Sequence, residues 1–175
     1  MSDKVKQFKW LIVLSLFLLA IPLYFTYNHF QQSSALKEAF EKNKRIEVLQ
    51  RLMASEKYAS DIRKAGYIIP PDGAIRLDGG IDSIEIKGDI DLDISNPGRN
   101  EVTVLFETTV KEEKIDVHYI LDNQLTIKRS YYSDISNHKI NDEVTIPQAE
   151  EERLLNIVQK EFEAFMEKMY QTLYG

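Results

Sequence analysis

Apolar and polar residues alternate one by one through the middle of this chain, and this alternation constrains its fold more than any other feature. In residues 84–94 the isoleucines and leucine stand at even positions, while Glu85, Lys87, Asp89, Asp91 and Asp93 stand at odd ones. A period of two is typical of strands with one buried and one solvated face. The middle of the chain is therefore predicted to form an antiparallel sheet.

Turn signals divide this region into a predicted meander of four to six strands. Gly88 favours a hairpin over residues 87–89, with one long strand bent at the glycine as the alternative. Asn96-Pro97-Gly98 and Asp122-Asn123 mark two further turns. The predicted strands cover residues 84–86, 90–94, 101–110, 115–121, 125–131 and 139–146.

Helical periodicity precedes the sheet. Residues 34–65 carry apolar side chains at intervals of three and four, separated by Lys, Arg and Glu. The register is loose near Asn43 and Ser55, which predicts a kink or shorter helices. Gly66 is expected to end the helical segment.

A second amphipathic pattern, over residues 147–173, ends the chain. Thr145 and Gln148 fit a capping box, and the acidic residues that follow suit a helix N-terminus. The apolar stripe of this helix is predicted to cover the sheet. The expected fold class is therefore α+β, with an N-terminal transmembrane helix and an amphipathic helix before the β-meander and a long C-terminal helix packed on the sheet.

Three lysines precede an uncharged apolar run near the N-terminus. Lys4, Lys6 and Lys9 are followed by residues 10–27, which contain no charged side chain. A run of about 18 residues can cross the hydrocarbon core as a slightly short helix. By the positive-inside rule, the lysines predict a cytoplasmic N-terminus and an extracytoplasmic C-terminal domain.

A cleaved signal peptide is the alternative interpretation of this segment. Small residues near Ala35 match the positions that a signal peptidase reads, and cleavage there would release a secreted form. Against cleavage, the run is longer than a usual apolar core, and Tyr24, Phe25 and Tyr27 are typical of an aromatic interface belt. We therefore expect a retained single-pass anchor. The absence of cysteine in an exported domain favours a bacterial cell envelope.

The charge distribution bears on the kind of partner. The formal net charge is −6, and acidic residues are concentrated in residues 72–93 and 150–152. Such a surface disfavours nucleic acid and favours a basic protein partner. The expected domains are a cytoplasmic tip at 1–9, a transmembrane signal-anchor at 10–27, a juxtamembrane or stalk helix at 28–66 and an extracytoplasmic α+β domain at 67–175.

No recognisable catalytic motif occurs in the sequence. The chain has no cysteine, its three histidines lie far apart, and no glycine-flanked serine or phosphate-binding glycine loop is present. Asp89, Asp91 and Asp93 match the spacing of the first calcium-loop ligands, but Ile94 stands where such a loop needs glycine. The sequence therefore predicts a protein that is not an enzyme, with no catalytic residue, cofactor or metal site.

One face of the predicted sheet is expected to remain open. Leu105 and Ile120 are large apolar residues in otherwise polar registers of this face. Exposed apolar residues among acids and an aromatic are typical of a protein-binding surface, while cover by a loop or by the first helix would make them ordinary core. The candidate partner-binding residues are Glu85, Asp89, Asp91, Asp93, Leu105, Glu107, His118, Ile120 and Tyr132.

These features predict a membrane-anchored, extracytoplasmic protein-binding module. The most specific hypothesis is an immunity or inhibitor protein that neutralises an exported toxin through the acidic face; no motif identifies a family. One alternative is a bitopic accessory subunit of a secretion, conjugation or cell-wall machine. Another is a small lipid or peptide carrier. The pocket of such a carrier would be lined by Phe162, Phe165, Met166, Met169 and Tyr170.

Overall fold

The structure is a computed structural model. It describes residues 3–70, 73–77, 86, 88–94, 97–110, 112–135, 139–140 and 144–175, without the side chains of residues 3–16 and of His29. The chain divides into two compact units, Met1–Glu38 and Ala39–Gly175. The predicted α+β class is confirmed, because the second unit combines helices with a five-stranded antiparallel sheet.

Helix α1 (Asp3–Glu41) makes up the described part of the first unit up to Glu38. Its large apolar side chains between residues 17 and 30 are exposed on all sides of the helix. Among the residues whose side chains are described, no helix is both long and apolar enough to cross a membrane. The predicted span, residues 10–27, includes residues 10–16, whose side chains lie outside the described part. The transmembrane segment stays a prediction.

The helical pattern of residues 34–65 is interrupted at both places where its register is loose. Asn43 adopts a positive φ of 52°, which ends the first helix, and Ser55 lies between the next two. The three helices are α1 (Asp3–Glu41), α2 (Arg45–Met53) and α3 (Glu56–Lys64). Both α2 and α3 bury apolar side chains in the second unit, which begins at Ala39.

The predicted helix end at Gly66 is confirmed. Gly66 has a φ of +87°, a conformation that glycine adopts without steric cost. Its N–H donates to the carbonyl of Arg63, and the Tyr67 N–H donates to the carbonyl of Ile62. This pair of hydrogen bonds is a Schellman motif, which satisfies two of the last carbonyls of α3.

Five strands form an antiparallel sheet in the order β1-β2-β3-β4-β5, so the predicted meander is confirmed. The strands are β1 (Ile75–Leu77), β2 (Ile90–Asp93), β3 (Val102–Val110), β4 (Glu113–Leu121) and β5 (Ile127–Asp134). The turn predicted at Asp122 is present, since one carboxylate oxygen of Asp122 accepts the N–H groups of Gln124 and Thr126. Such local bonds make Asp a strong turn residue.

The hairpin predicted over residues 87–89 is wrong, and the strand predicted at 139–146 is absent from its described part. Residues 84–86 were expected to pair with 90–94, but β2 has β1 on one side and β3 on the other, with Ile90 opposite Leu77. Ile86 is buried outside any strand, and its neighbours 84, 85 and 87 lie outside the described residues. The strand predicted at 139–146 is reduced, in its described part, to a single bridge between Ile140 and Ser133.

Helix α4 (Gln148–Tyr174) covers one face of the sheet. Two hydrogen bonds join it to β5 and the preceding turn: Tyr132 Oη donates to Glu151, and Gln159 Nε2 donates to the carbonyl of Leu125. The predicted capping box is wrong, because the N-cap is Pro147, two residues after Thr145, and no side chain caps the helix.

The apolar stripe of α4 belongs to the core. Phe162 and Phe165 are fully buried and meet edge to face, with ring centroids 6.4 Å apart. Phe165 also contacts Tyr67, at 4.9 Å between centroids. The remaining buried members of the stripe are Leu154, Val158, Met166 and Met169.

Candidate functional site

The sheet face away from α4, here called the open face, carries a line of paired side chains that crosses every strand. Each member stands directly opposite the next in the strand register. Directly opposite residues have Cβ atoms about 5 Å apart, so the line is continuous. This central row consists of Arg76, Asp91, Leu105, His118 and Tyr131.

Two shorter rows flank the central row on the same face. They are displaced by two residues along the strands, because side chains of one face recur with a period of two. One flanking row consists of Asp93, Thr103, Ile120 and Arg129, and the other of Glu107, Asp116 and Ser133. The three rows bring carboxylates, rings and apolar side chains from five strands onto one surface.

Tyr131 and Ser133 both contact the ring of His118. Its ring stacks on Tyr131, with centroids 4.3 Å apart and planes inclined by 13°. Its Nε2 lies 3.1 Å from the hydroxyl of Ser133. Ser133 is only 4% exposed, so its hydroxyl orients the imidazole but is poorly placed to attack a substrate. The stacked rings of His118 and Tyr131 thus present a fixed aromatic surface.

Basic side chains balance part of the acidic charge. The guanidinium of Arg76 makes two hydrogen bonds to Asp91, at 2.9 and 3.3 Å, and its Nε lies 3.6 Å from Asp89. Lys114 Nζ lies 3.1 Å from Glu107. The bidentate geometry fixes the carboxylate plane of Asp91 within the central row.

Two depressions lie on the open face, on either side of the pair formed by Asp91 and Leu105. The first encloses about 270 Å³, and the second about 200 Å³. The first is lined by Asp91, Asp93, Thr103, Leu105, His118 and Tyr131. The second is lined by Arg76, Asp89, Asp91, Leu105, Glu107 and Asp116, among others.

Six of the predicted site residues come together on this face, and all six are half-buried: Asp91, Asp93, Leu105, Glu107, His118 and Ile120. Asp89 immediately precedes β2 and contacts Arg76. Glu85 lies outside the described residues. The predicted position of Tyr132 is wrong, because its ring lies on the α4 side, where its hydroxyl bonds to Glu151 and burial raises its pKa.

The predicted site residues omit six members of the three rows: Arg76, Thr103, Asp116, Arg129, Tyr131 and Ser133. Asp116 follows the simple alternation of β4 and was identifiable from it. Tyr131 and Ser133 were not, because the register between β4 and β5 shifts at Ile120 and Leu121 and exchanges the two faces of β5. A β-bulge of this kind leaves no clear local signal.

Metal binding finds no support in the described residues, which contain no group of three or more His, Cys, Asp or Glu side chains suited to holding an ion. Asp91 and Asp93 are separated by one residue along β2 and point to the same face. Their side chains stand about 7 Å apart along the strand. They line one depression without converging on a point.

Comparison with known proteins does not indicate a family or a function for this chain. The chain matches no family model, no curated protein and no solved structure. The functional argument therefore depends on the open face alone.

Proposed function

We propose that this chain is a non-catalytic protein-binding module that holds a basic partner against its open face. The observation that carries the proposal is the central row. It places an apolar side chain, Leu105, between a carboxylate, Asp91, and the stacked rings of His118 and Tyr131. A centre of apolar and aromatic groups among charged residues is the composition of energetic hot spots in protein interfaces.

The charge arrangement supports the same proposal. Glu107 stands directly opposite Asp116 in the strand register. Like charges in directly opposite positions destabilise a sheet. Lys114 offsets part of this repulsion through its contact with Glu107. A cationic partner offsets more of it and gains attraction and a faster encounter from these acids.

We further propose that the module is anchored by residues 10–27 with its C-terminal domain outside the membrane. The support is the run without charged residues after three lysines, together with the exposure of apolar side chains around α1. Apolar residues on all sides of a helix are typical of burial in protein or in lipid. The exposed members are Phe17, Leu18, Leu19, Ile21, Leu23, Tyr24, Phe25, Tyr27 and Phe30.

Single cysteines test the topology, because the chain has none of its own. Glu152→Cys, at an exposed position of α4, is expected to react with a membrane-impermeant maleimide in intact cells. Lys4→Cys is expected to react only after the membrane is permeabilised. Equal labelling of both variants in intact cells would refute an anchor of this orientation.

In its most specific form, the proposal is an immunity or inhibitor protein that neutralises an exported toxin. The acidic open face supports it, since an acidic surface occludes a basic active site by charge complementarity. The partner then has to be an exported protein whose activity falls when the open face binds it.

Site-specific photo-crosslinking in host cells tests whether the open face binds protein. A photoreactive residue at Thr103, on the open face, is expected to capture one partner. The same residue at Glu152, on α4, is the control and is expected to capture none. The additional change Leu105→Asp is expected to abolish capture from position 103. Capture that is equal at both positions, or unaffected by Leu105→Asp, would contradict binding at this face.

A further inference from the structure

The two depressions of the open face have a fixed separation. The first lies between the central row and Asp93, and the second between the central row and Glu107. Going from one to the other moves two residues along β2 and two along β3. Two residues of strand correspond to about 7 Å.

An extended peptide has the same repeat. Its side chains at positions i and i+2 point to the same side and are also about 7 Å apart. An extended segment that lies along β2 and β3 can therefore place one side chain in each depression. A helical segment would need its two basic side chains at positions i and i+4, because residues i and i+2 of a helix face different directions.

The residues that line each depression indicate which side chains of a partner it can bind. Asp91 and Asp93 contribute carboxylates to the first depression, whose wall contains the rings of His118 and Tyr131. The Asp91 carboxylate is also hydrogen-bonded to Arg76. The second is lined by four carboxylates, those of Asp89, Asp91, Glu107 and Asp116. They outnumber the two cations beside them, Arg76 and Lys114, the latter 3.1 Å from Glu107. Carboxylates attract a cationic side chain, and its methylene stem can pack on Leu105 in both depressions and on the rings of His118 and Tyr131 in the first.

We propose that the open face binds an extended segment of a protein partner that carries two basic side chains two residues apart, one in each depression. The proposal rests on the protein-binding function above and specifies the partner's chemistry. Asp91 and Leu105, which both depressions share, lie beneath the intervening residue of the segment.

Synthetic peptides test the spacing. Two fluorescein-labelled, threonine-rich octapeptides of identical composition carry either Arg-Thr-Arg or Arg-Thr-Thr-Arg, and their binding to the full-length protein is followed by fluorescence anisotropy. The first is expected to bind about threefold more tightly or better, because only its arginines reach both depressions. The preference is expected to shrink as salt is added, since it is electrostatic.

Two variants, each of which replaces one carboxylate by a neutral amide, test which residues form each depression. Asp93→Asn alters the first and Asp116→Asn alters the second, and each is expected to remove the preference for Arg-Thr-Arg. The matched control is Glu113→Gln, an exposed acid at the start of β4 in the register of the opposite face. This control is expected to keep the preference.

The outcomes separate this inference from the function on which it rests. Equal affinity for the two peptides, or a preference that survives in both Asp→Asn variants, overturns the two-depression proposal. If capture from Thr103 still depends on Leu105 in that case, the protein-binding function stands without it. If the preference for Arg-Thr-Arg and the Leu105-dependent capture from Thr103 are both absent, both proposals are overturned.

Discussion

The imidazole ring of His118 stacks on the phenol ring of Tyr131, with the two centroids 4.3 Å apart. Tyr131 therefore lies on the open face, and Tyr132 lies on the face covered by α4. Uninterrupted alternation predicts the reverse. The exchange arises at the register shift beside Ile120, before the chain reaches either tyrosine. The aromatic member of the candidate site is thus set by a bulge in the sheet.

Replacing each of these two tyrosines tests the register. Tyr131→Ala is expected to weaken binding of the Arg-Thr-Arg peptide and to lower the free energy of unfolding by about 1 kcal/mol, the size of one ring-stacking contact. Tyr132→Ala is expected to lower it by about 2–3 kcal/mol, because it removes a half-buried ring that bonds to Glu151. Urea unfolding and anisotropy measure both quantities. The reverse order of stability losses would contradict the observed register.

The N-terminus of α2 is capped from a distant turn. The side-chain oxygen of Asn123, between β4 and β5, accepts the N–H of Ile46 at 3.1 Å, while the N-cap residue Lys44 makes no side-chain cap bond. Asn123→Ala is expected to lower the free energy of unfolding by about 1 kcal/mol. The neighbouring change Gln124→Ala is the control for urea unfolding and is expected to have a much smaller effect. Equal losses would show that the turn, and not the cap, is what matters.

A charge in the stripe of α4 is expected to unfold the domain. Phe165 is fully buried, so Phe165→Glu forces either an unpaired charge or a protonated acid into the core. Ala164→Glu adds the same charge at an exposed position of the same helix and is expected to change stability by less than about 0.5 kcal/mol. Circular dichroism during heating distinguishes them. A folded Phe165→Glu variant with a smaller oligomer would instead favour the assembly-subunit alternative.

The hydroxyl of Tyr119 makes the stability of the domain sensitive to alkaline pH. Burial raises the pKa of this group above its ordinary value of 10, with further contributions from Glu151 and Tyr132. Above about pH 10 the unfolded chain releases this proton and the folded chain retains it, so stability falls as pH rises.

Tyr119→Phe isolates this contribution. Tyr119 Oη is buried without a hydrogen-bond partner among the described residues, so its removal is expected to leave the free energy of unfolding at pH 7 unchanged or raise it by about 1 kcal/mol. The decline of stability above about pH 10 is expected to become shallower. Urea unfolding at neutral and alkaline pH measures both effects. An unchanged decline would exclude Tyr119 as its source.

Local chemistry made much of the fold predictable. Gly66 ends α3 because glycine adopts a positive φ without steric strain. Asp122 forms a turn because its side chain accepts hydrogen bonds from nearby backbone N–H groups. The alternation in β3 and β4 identified the buried face and, with it, Leu105, His118 and Ile120 on the other one. These features depend on residues that are close in the chain, so the sequence alone contains them.

The remaining features of the fold and of the open face depend on contacts between segments that are distant in the chain. On the side away from β3, the neighbour of β2 is Ile75–Leu77, a three-residue strand too short to show a period of its own. Arg76 enters the central row through that pairing, and Tyr131 enters it through the bulge beside Ile120. The amino-acid sequence determined the class and order of the elements, because propensity, periodicity and turn chemistry act over a few residues. The neighbours of each strand, and the membership of the open face, depend on hydrogen bonds between strands and on packing against α4, which exist only in the folded chain.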